Sequence, residues 1–176
     1  MKGIVDIGGA FEAFCADVAK DATGKVAALP KLANGFEGWL KIEFLLWLAL
    51  QEGLEISGDV GAEYTARLDQ RFQDMDRDRK KIDLWVRAAP NNERFHYIEL
   101  KAPFDNHNST KMLASAATDL WYLMRLRPSE LAASSSIIVV GSRYTEERWV
   151  GAQAAIVEHV GHVRPPSSRR TGRFRA

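Results

Sequence analysis

The stretch from Lys81 to Lys101 constrains the fold of this chain most, because it combines two β-rich runs with a turn signal between them. The first run ends at Val86 and the second begins at Phe95, and both are rich in β-branched and aromatic residues. A Pro-Asn-Asn cluster at 90–92 separates them. Runs of this composition on either side of a turn cluster are typical of a β-hairpin. The sequence therefore predicts two adjacent antiparallel strands.

Two carboxylates face each other if this hairpin is folded about Asn91. Because side chains alternate along a strand, Asp83 then lies opposite Glu99, with Lys101 on the same face of the second strand. Directly opposite side chains lie roughly 4.5–5.5 Å apart at Cβ, and like charges there destabilise each other unless a cation intervenes. The pair is either an ordinary surface charge cluster or a site for a divalent cation such as Mg²⁺, which binds carboxylate oxygens.

A long helix is predicted from Phe36 to Glu52, and Gly53 is expected to end it, as a glycine commonly does. At about 100° per residue, Glu43 lies at the centre of an apolar face, and Lys41 falls on the opposite side with Glu37 and Glu52. The apolar residues within about 60° of Glu43 are Phe36, Trp39, Leu40, Leu46, Trp47 and Leu50. A buried carboxylate is costly unless it is paired or bound to a metal. Glu43 is therefore expected in a buried salt bridge, or as a third carboxylate beside the hairpin pair.

The remaining elements complete an α/β pattern with a core at 36–142. A helix is predicted after Asn108, ending near Pro128, because a proline disfavours helix at the residue before it. The uninterrupted apolar run at 135–141 predicts a strand buried on both faces, in the middle of a sheet. The predicted order is helix 36–52, an extended segment at 54–68, strand 81–88, strand 93–101, helix 108–127 and strand 135–141.

Composition predicts one domain over residues 1–163. The chain has 176 residues, of which 46% are hydrophobic and 27% charged, as in ordinary globular proteins. The segment 164–176 holds five arginines and no acid, so it is expected to be a basic, disordered tail, and without it the formal net charge falls from +1 to −4. The single cysteine, Cys15, excludes an internal disulfide. No stretch resembles a signal peptide or a membrane span, so we expect a cytoplasmic protein that does not bind membranes.

Several familiar catalytic motifs are absent from the sequence. A single cysteine with four histidines does not suit a structural zinc site of the usual kind. The chain has no glycine-rich phosphate loop and no serine in a nucleophile-elbow context. The charged residues of the hairpin and of the helix before it are therefore the leading candidates for a functional site.

These elements, and the charged residues on them, resemble the PD-(D/E)XK nuclease superfamily, which has the restriction-endonuclease-like fold. Glu43 matches the acid that members often carry on the first core helix. Asp83 matches the aspartate of the second strand, and Glu99 and Lys101 match the Glu-x-Lys of the third. Ile82 stands where many members have a proline. The resemblance covers the predicted core and implies an αβββαβ arrangement, with a mixed central sheet flanked by helices.

The resemblance implies a metal-dependent nuclease, an endonuclease acting on DNA, with Mg²⁺ or Mn²⁺ as its cofactor. Asp83 and Glu99 would hold the cation with the Leu100 carbonyl, and Glu43 would be a further ligand, directly or through water. Lys101 would orient or deprotonate the attacking water, or stabilise the charge of the phosphate. The superfamily includes members that have lost catalysis, so a binding or regulatory module is the alternative.

Three further cations are candidates for contacts with nucleic acid. Lys111 lies in the first turn of the helix that follows the hairpin, where a solvated lysine is the ordinary alternative. Arg169 and Arg170 lie in the basic tail, which would either make salt-dependent phosphate contacts or simply solubilise the chain. Cleavage of both strands of a duplex would favour a homodimer.

Overall fold

A computed structural model describes residues 3–4, 6–20, 23–24, 36–72, 75–102 and 109–140, with isolated positions at 28, 147, 150, 151 and 154. The helices are α1 (Ile7–Ala19), α2 (Glu37–Gln51) and α3 (Ser109–Leu123). The strands are β1 (Val60–Arg67), β2 (Arg79–Arg87), β3 (Phe95–Lys101) and β4 (Ala132–Val139), and a short 3₁₀ helix, Pro128–Glu130, precedes β4. The predicted α/β class and the element order from α2 onward are confirmed. The tail with Arg169 and Arg170 lies outside the described residues.

The four strands form one mixed sheet in the order β1-β2-β3-β4. β2 is antiparallel to both β1 and β3, whereas β3 and β4 are parallel. Parallel neighbours need a crossover connection, which α3 supplies. Within the described part of the chain β4 lies at the edge of the sheet, and its side chains are exposed or half-buried. The prediction of a central strand buried on both faces is therefore wrong there; its apolar run contacts both core clusters, through Ile138 on one face and Ile137 on the other.

Helices cover both faces of the sheet. On one face, α1 and α2 pack on the strands through Phe14, Phe44, Leu48, Leu84, Val86, Ile98 and Leu100. On the other face, α3 packs through a smaller cluster of Ala66, Ile82, Tyr97 and Leu123. The sheet is therefore the middle layer of three, and the core side chains of β2 change from one face to the other between Ile82 and Leu84.

Local signals set the ends of the first two helices. Asp6 caps α1, because its Oδ1 accepts a hydrogen bond of 3.1 Å from the backbone N–H of Gly9. α2 ends just before Gly53, as predicted, and this glycine has a φ of 61°, a left-handed conformation that glycine adopts without steric cost. None of the described helices is both long and apolar enough to span a membrane.

The central hairpin has the register expected from its sequence. Leu84 pairs with Ile98, and Val86 pairs with His96. The turn is closed by a hydrogen bond of 2.9 Å from the backbone N–H of Ala88 to the carbonyl of Arg94. Continuing this register by one residue brings the two carboxylates of the hairpin, predicted to be opposite, to the same level of the sheet.

Candidate functional site

The two carboxylates lie where β2 and β3 stop pairing. The cross-strand pairs end at Leu84 and Ile98, although both strands continue through described residues beyond that point. There, Asp83 Oδ2 accepts a hydrogen bond of 3.0 Å from the backbone N–H of Leu100. The side chain of Asp83 thus takes the place of a backbone acceptor, and it satisfies an N–H that the ladder would otherwise leave without a partner.

In both β1 and β2, the side chains change from one face of the sheet to the other at this level. In β2, Leu84 belongs to the core beneath α1 and α2, whereas Ile82 belongs to the cluster beneath α3. The register places Glu63 of β1 opposite Asp83, and Glu63 has a φ of 60°, which is uncommon for any residue except glycine. This change of face interrupts the usual alternation of side chains along each strand. As a result, Lys80 lies on the α3 side of the sheet.

On the α3 side of the sheet, Glu99 is the first member of a series of ion pairs with two lysines and an acid of α3. Lys80 Nζ lies 2.9 Å from Glu99 Oε1 and 2.8 Å from Asp119 Oδ1. Lys101 Nζ lies 2.9 Å from Asp119 Oδ2. Glu99 Oε1 is buried, and the Lys80 ammonium is its partner among the described residues. The ion pairs form one chain, Glu99–Lys80–Asp119–Lys101.

A second group of ion pairs lies on the α2 side of the sheet. Lys41 Nζ lies 3.5 Å from Asp83 Oδ1 and 2.7 Å from Glu63 Oε1. Lys81 also contacts Glu63. Lys41 and then Lys81 lower the pKa of Glu63 to about 2. Each carboxylate of the hairpin pair therefore has an ammonium group beside it, which reduces the repulsion expected between two facing acids.

Burial and charge shift the protonation equilibria along the ion-pair chain. Desolvation raises the pKa of Glu99 to about 7; Lys80 opposes this shift, and the charges of Asp83 and Asp119 add to it. Burial alone would lower the pKa of Lys101, but Asp119, Glu37 and Glu99 together outweigh it, so this pKa is raised. Burial alone would raise the pKa of Asp119, but Lys80 and Lys101 outweigh it, so this pKa is lowered. At neutral pH, Lys101 and Asp119 form a charged pair, and Glu99 is close to its own titration.

The helical acid that lies toward the site is Glu37, not Glu43. Glu37 Oε2 accepts a hydrogen bond of 3.2 Å from the backbone N–H of Ala102, directly after β3. Its charge also contributes to the raised pKa of Lys101. Among the described residues Glu43 forms no ion pair, so the predicted buried salt bridge is not found there.

The prediction that Glu43 lies at the centre of the buried face is wrong, because α2 is apolar around most of its circumference. The residues that α2 buries are Leu40, Phe44, Leu45 and Leu48. Leu46 and Leu50, which helped to define the predicted face, are 40% and 78% exposed. The buried face is thus rotated by roughly a third of a turn. Glu37 and Lys41, predicted on the outer side, lie toward the sheet.

Lys80 and Asp119 are the site residues that the sequence analysis missed. Asp119 carried a usable signal, because it lies at helical spacing between Ala116 and Leu123, two buried residues of α3. The sequence gives no such signal for Lys80, because strict alternation would place it with Leu84, on the face of the sheet that packs against α1 and α2. The side chain of Lys111 lies outside the described residues, so its predicted contact with phosphate stays a prediction.

The oxygen atoms at the site suit a hard cation better than a soft one. Asp83 and Glu99 supply carboxylates, and Glu99 Oε1 is a buried oxygen whose partner is the Lys80 ammonium. The described residues contain no group of three or more His, Cys, Asp or Glu side chains arranged to hold a metal ion. A cation here would therefore depend on two carboxylates, on backbone carbonyl oxygen and on water.

Comparisons with known proteins do not assign the chain to a family. No family model matches it, and it matches neither a curated protein nor a solved structure. The function must therefore be inferred from the arrangement of the residues themselves.

Proposed function

We propose that this chain is a metal-dependent nuclease that hydrolyses phosphodiester bonds, with DNA as its substrate. The observation that supports this most strongly is that Asp83, Glu99 and Lys101 lie on adjacent strands where β2 and β3 stop pairing, and that the charge of Asp83 acts on Glu99. The same residues, on the second and third strands of an α-β-β-β-α-β chain with a mixed sheet, carry the resemblance to the PD-(D/E)XK nucleases.

The donor set fits Mg²⁺ or Mn²⁺. Mg²⁺ usually keeps several waters and binds through one or two carboxylates together with substrate phosphate, so a third carboxylate is not required. Asp83 and Glu99 would hold the ion with the Leu100 carbonyl, and Glu99 Oε1 would exchange its ion pair with Lys80 for the metal. When bound, the ion would supply positive charge that makes a water nucleophilic and balances the charge at the scissile phosphate.

Lys101 would act as a fixed positive charge. Its Nζ is held 2.9 Å from Asp119 Oδ2, and an ammonium in such a pair stays protonated. A protonated lysine donates hydrogen bonds and accepts none, so Lys101 would orient the attacking water or bind the phosphate oxygens rather than remove a proton. Asp119 would then be a positioning residue, because it fixes the ammonium of Lys101 beside β3.

A second candidate function is a nuclease-like module that binds its partner without cleavage. The observation that favours it is the ion pair between Lys80 and Glu99, which occupies a carboxylate that a metal ion would need. A stable internal pair at this position would suit a protein in which the charges have become structural. Metal binding and cleavage distinguish the two functions directly.

The decisive experiment is a cleavage assay on supercoiled plasmid, single-stranded DNA and RNA, each with Mg²⁺, Mn²⁺ or EDTA. We expect metal-dependent cleavage of DNA by the wild type and its loss in Asp83→Asn, whose side-chain oxygen can still accept the hydrogen bond from Leu100. Asp78→Asn is the matched control, because Asp78 is an acid just before β2 whose side chain is 75% exposed. We expect this control to cleave like the wild type.

Cleavage that persists in EDTA or in Asp83→Asn would contradict the proposal. A chain that binds DNA but cleaves no substrate with either ion would instead support the binding module. Circular dichroism and thermal unfolding of each variant would exclude loss of the fold as the cause of lost activity.

A further inference from the structure

The side chain of Lys80 is a buried cation inside the proposed metal site. It is 10% exposed, and the side chain of its partner Glu99 is 3% exposed. A buried charge is costly unless a charge of opposite sign pairs with it, and removing one partner leaves the other uncompensated. In the metal-free protein, Lys80 is therefore the counter-ion that allows Glu99 to be both ionised and buried.

The geometry gives Lys80 a second partner that does not depend on Glu99. Its Nζ lies 2.8 Å from Asp119 Oδ1, and the other oxygen of Asp119 is held by Lys101 at 2.9 Å. Lys80 can therefore release Glu99 and remain an ion pair with Asp119.

A divalent cation on the Glu99 carboxylate and an ammonium 2.9 Å from the same carboxylate would repel each other strongly in a buried site. We propose that Lys80 is an internal cation that a divalent metal ion must displace from Glu99, and that Asp119 retains the released ammonium. This inference rests on the proposed function, because it assumes that Glu99 is a metal ligand. Metal binding is then an exchange of cations, and the Lys80–Glu99 pair lowers the apparent affinity for the metal.

The neighbouring lysine provides a matched comparison. Lys81 follows Lys80 in β2, but its side chain is 65% exposed and contacts Glu63 on the other side of the site. Lys80→Met removes a buried charge and keeps most of the side-chain volume, and Lys81→Met makes the same change where no competition with the metal is expected. Lys80→Gln is a second variant in case the methionine prevents folding, because its amide can still donate to Glu99 and Asp119 without a charge.

The test is calorimetric titration of the metal-free full chain with Mn²⁺ alone, together with thermal unfolding in EDTA and in Mn²⁺. We expect Lys80→Met and Lys80→Gln to bind Mn²⁺ about tenfold more tightly than the wild type, in the range of coupling within a charge network. Without metal, Lys80→Met should unfold at a lower temperature, since Glu99 loses its counter-ion, and Mn²⁺ should raise its midpoint more than that of the wild type. Lys81→Met should bind Mn²⁺ like the wild type.

Each remaining outcome separates this inference from the proposed function. Equal affinity for Mn²⁺ in the wild type and in both Lys80 variants would overturn the displacement of Lys80 and leave a metal-dependent nuclease intact. A uniform gain in Lys81→Met and the Lys80 variants would also overturn it, because the effect would then be one of overall charge. Absence of Mn²⁺ binding in every variant would overturn the proposed function, and the inference with it.

Discussion

Asp83 Oδ2 accepts a hydrogen bond of 3.0 Å from the backbone N–H of Leu100, across the gap that opens between β2 and β3. Leu100 is completely buried, so its N–H cannot turn to water if this acceptor is removed. A buried donor without a partner costs about 1–3 kcal/mol. Asp83 therefore has a structural role that is independent of any metal.

Substitution of Asp83 should separate this structural role from catalysis. We expect Asp83→Ala to lower the free energy of unfolding by about 1–3 kcal/mol, because Leu100 loses its acceptor, and Asp83→Asn to lower it less, because the amide oxygen replaces the carboxylate. Urea unfolding of both variants in EDTA measures the difference. Equal destabilisation by alanine and asparagine would mean that the charge of Asp83, rather than the hydrogen bond, stabilises this part of the sheet.

The two acids on α2 should respond differently to the same substitution. Glu37→Ala removes the acceptor for the N–H of Ala102 and a negative charge from the first turn of the helix, so we expect a loss of about 1–2 kcal/mol in the free energy of unfolding. Glu43→Ala should change it by no more than about 0.5 kcal/mol. Chemical unfolding of the two variants tests this, and a larger loss for Glu43→Ala would reverse the assignment of the helix face.

Glu99 should make stability depend on pH. Burial raises the pKa of Glu99 to about 7, whereas a glutamate in the unfolded chain titrates near about 4.3. Between these two pH values, Glu99 holds a proton in the folded state but not in the unfolded state. The contribution of Glu99 to the free energy of unfolding is therefore fully present below about pH 4, falls as pH rises, and levels off above about pH 7, with a total loss of about 4 kcal/mol.

Comparison with Glu99→Gln isolates this effect, because glutamine does not titrate. In EDTA, the wild type should lose stability relative to Glu99→Gln as the pH is raised from about 4 to 7.5. Glu93→Gln, at an exposed acid in the loop of the same hairpin, controls for the substitution itself. Parallel stability profiles for the wild type and Glu99→Gln would mean that Glu99 titrates near its ordinary pKa in the folded protein.

The parts of the site that were predicted correctly depend on local sequence. The turn cluster around Asn91 and the composition of the flanking runs predicted the hairpin and its register, and the register brings Asp83 level with Glu99. Likewise, Gly53 marked the end of α2 because only the local conformation of the backbone is involved. Signals of this kind act over a few residues and do not require knowledge of the packed structure.

The parts that were not predicted depend on tertiary packing. Lys80 reaches Glu99 because the side chains of β1 and β2 change faces of the sheet at the level of Glu63. The left-handed backbone of Glu63 cannot be predicted from a pattern of alternating side chains. The face of α2 was predicted wrongly because an almost uniformly apolar helix has no unique orientation until it meets the sheet. Asp119 could have been found, since an acid on the buried stripe of a more polar helix is a clearer signal than Glu43 was.

Gly61 should be sensitive to the smallest enlargement of its side chain. It pairs with Trp85 across β1 and β2, and a Cβ at Gly61 would lie 2.6 Å from Cε2 and Nε1 of that ring, closer than carbon atoms approach each other. We expect Gly61→Ala to lower the free energy of unfolding by about 1–3 kcal/mol, since the indole must move. Adding Trp85→Leu should recover part of this loss, which a double-mutant cycle measures.

Gly38→Ala is the matched control for Gly61→Ala, and it should have the opposite sign. Gly38 lies in the first turn of α2, and a Cβ there would meet no atom within 4 Å among the described residues. Because alanine loses less backbone entropy than glycine in a helix, we expect Gly38→Ala to raise the free energy of unfolding by about 0.4–1 kcal/mol. If both alanine substitutions lowered the free energy of unfolding equally, the effect at Gly61 would not come from a clash with the ring of Trp85.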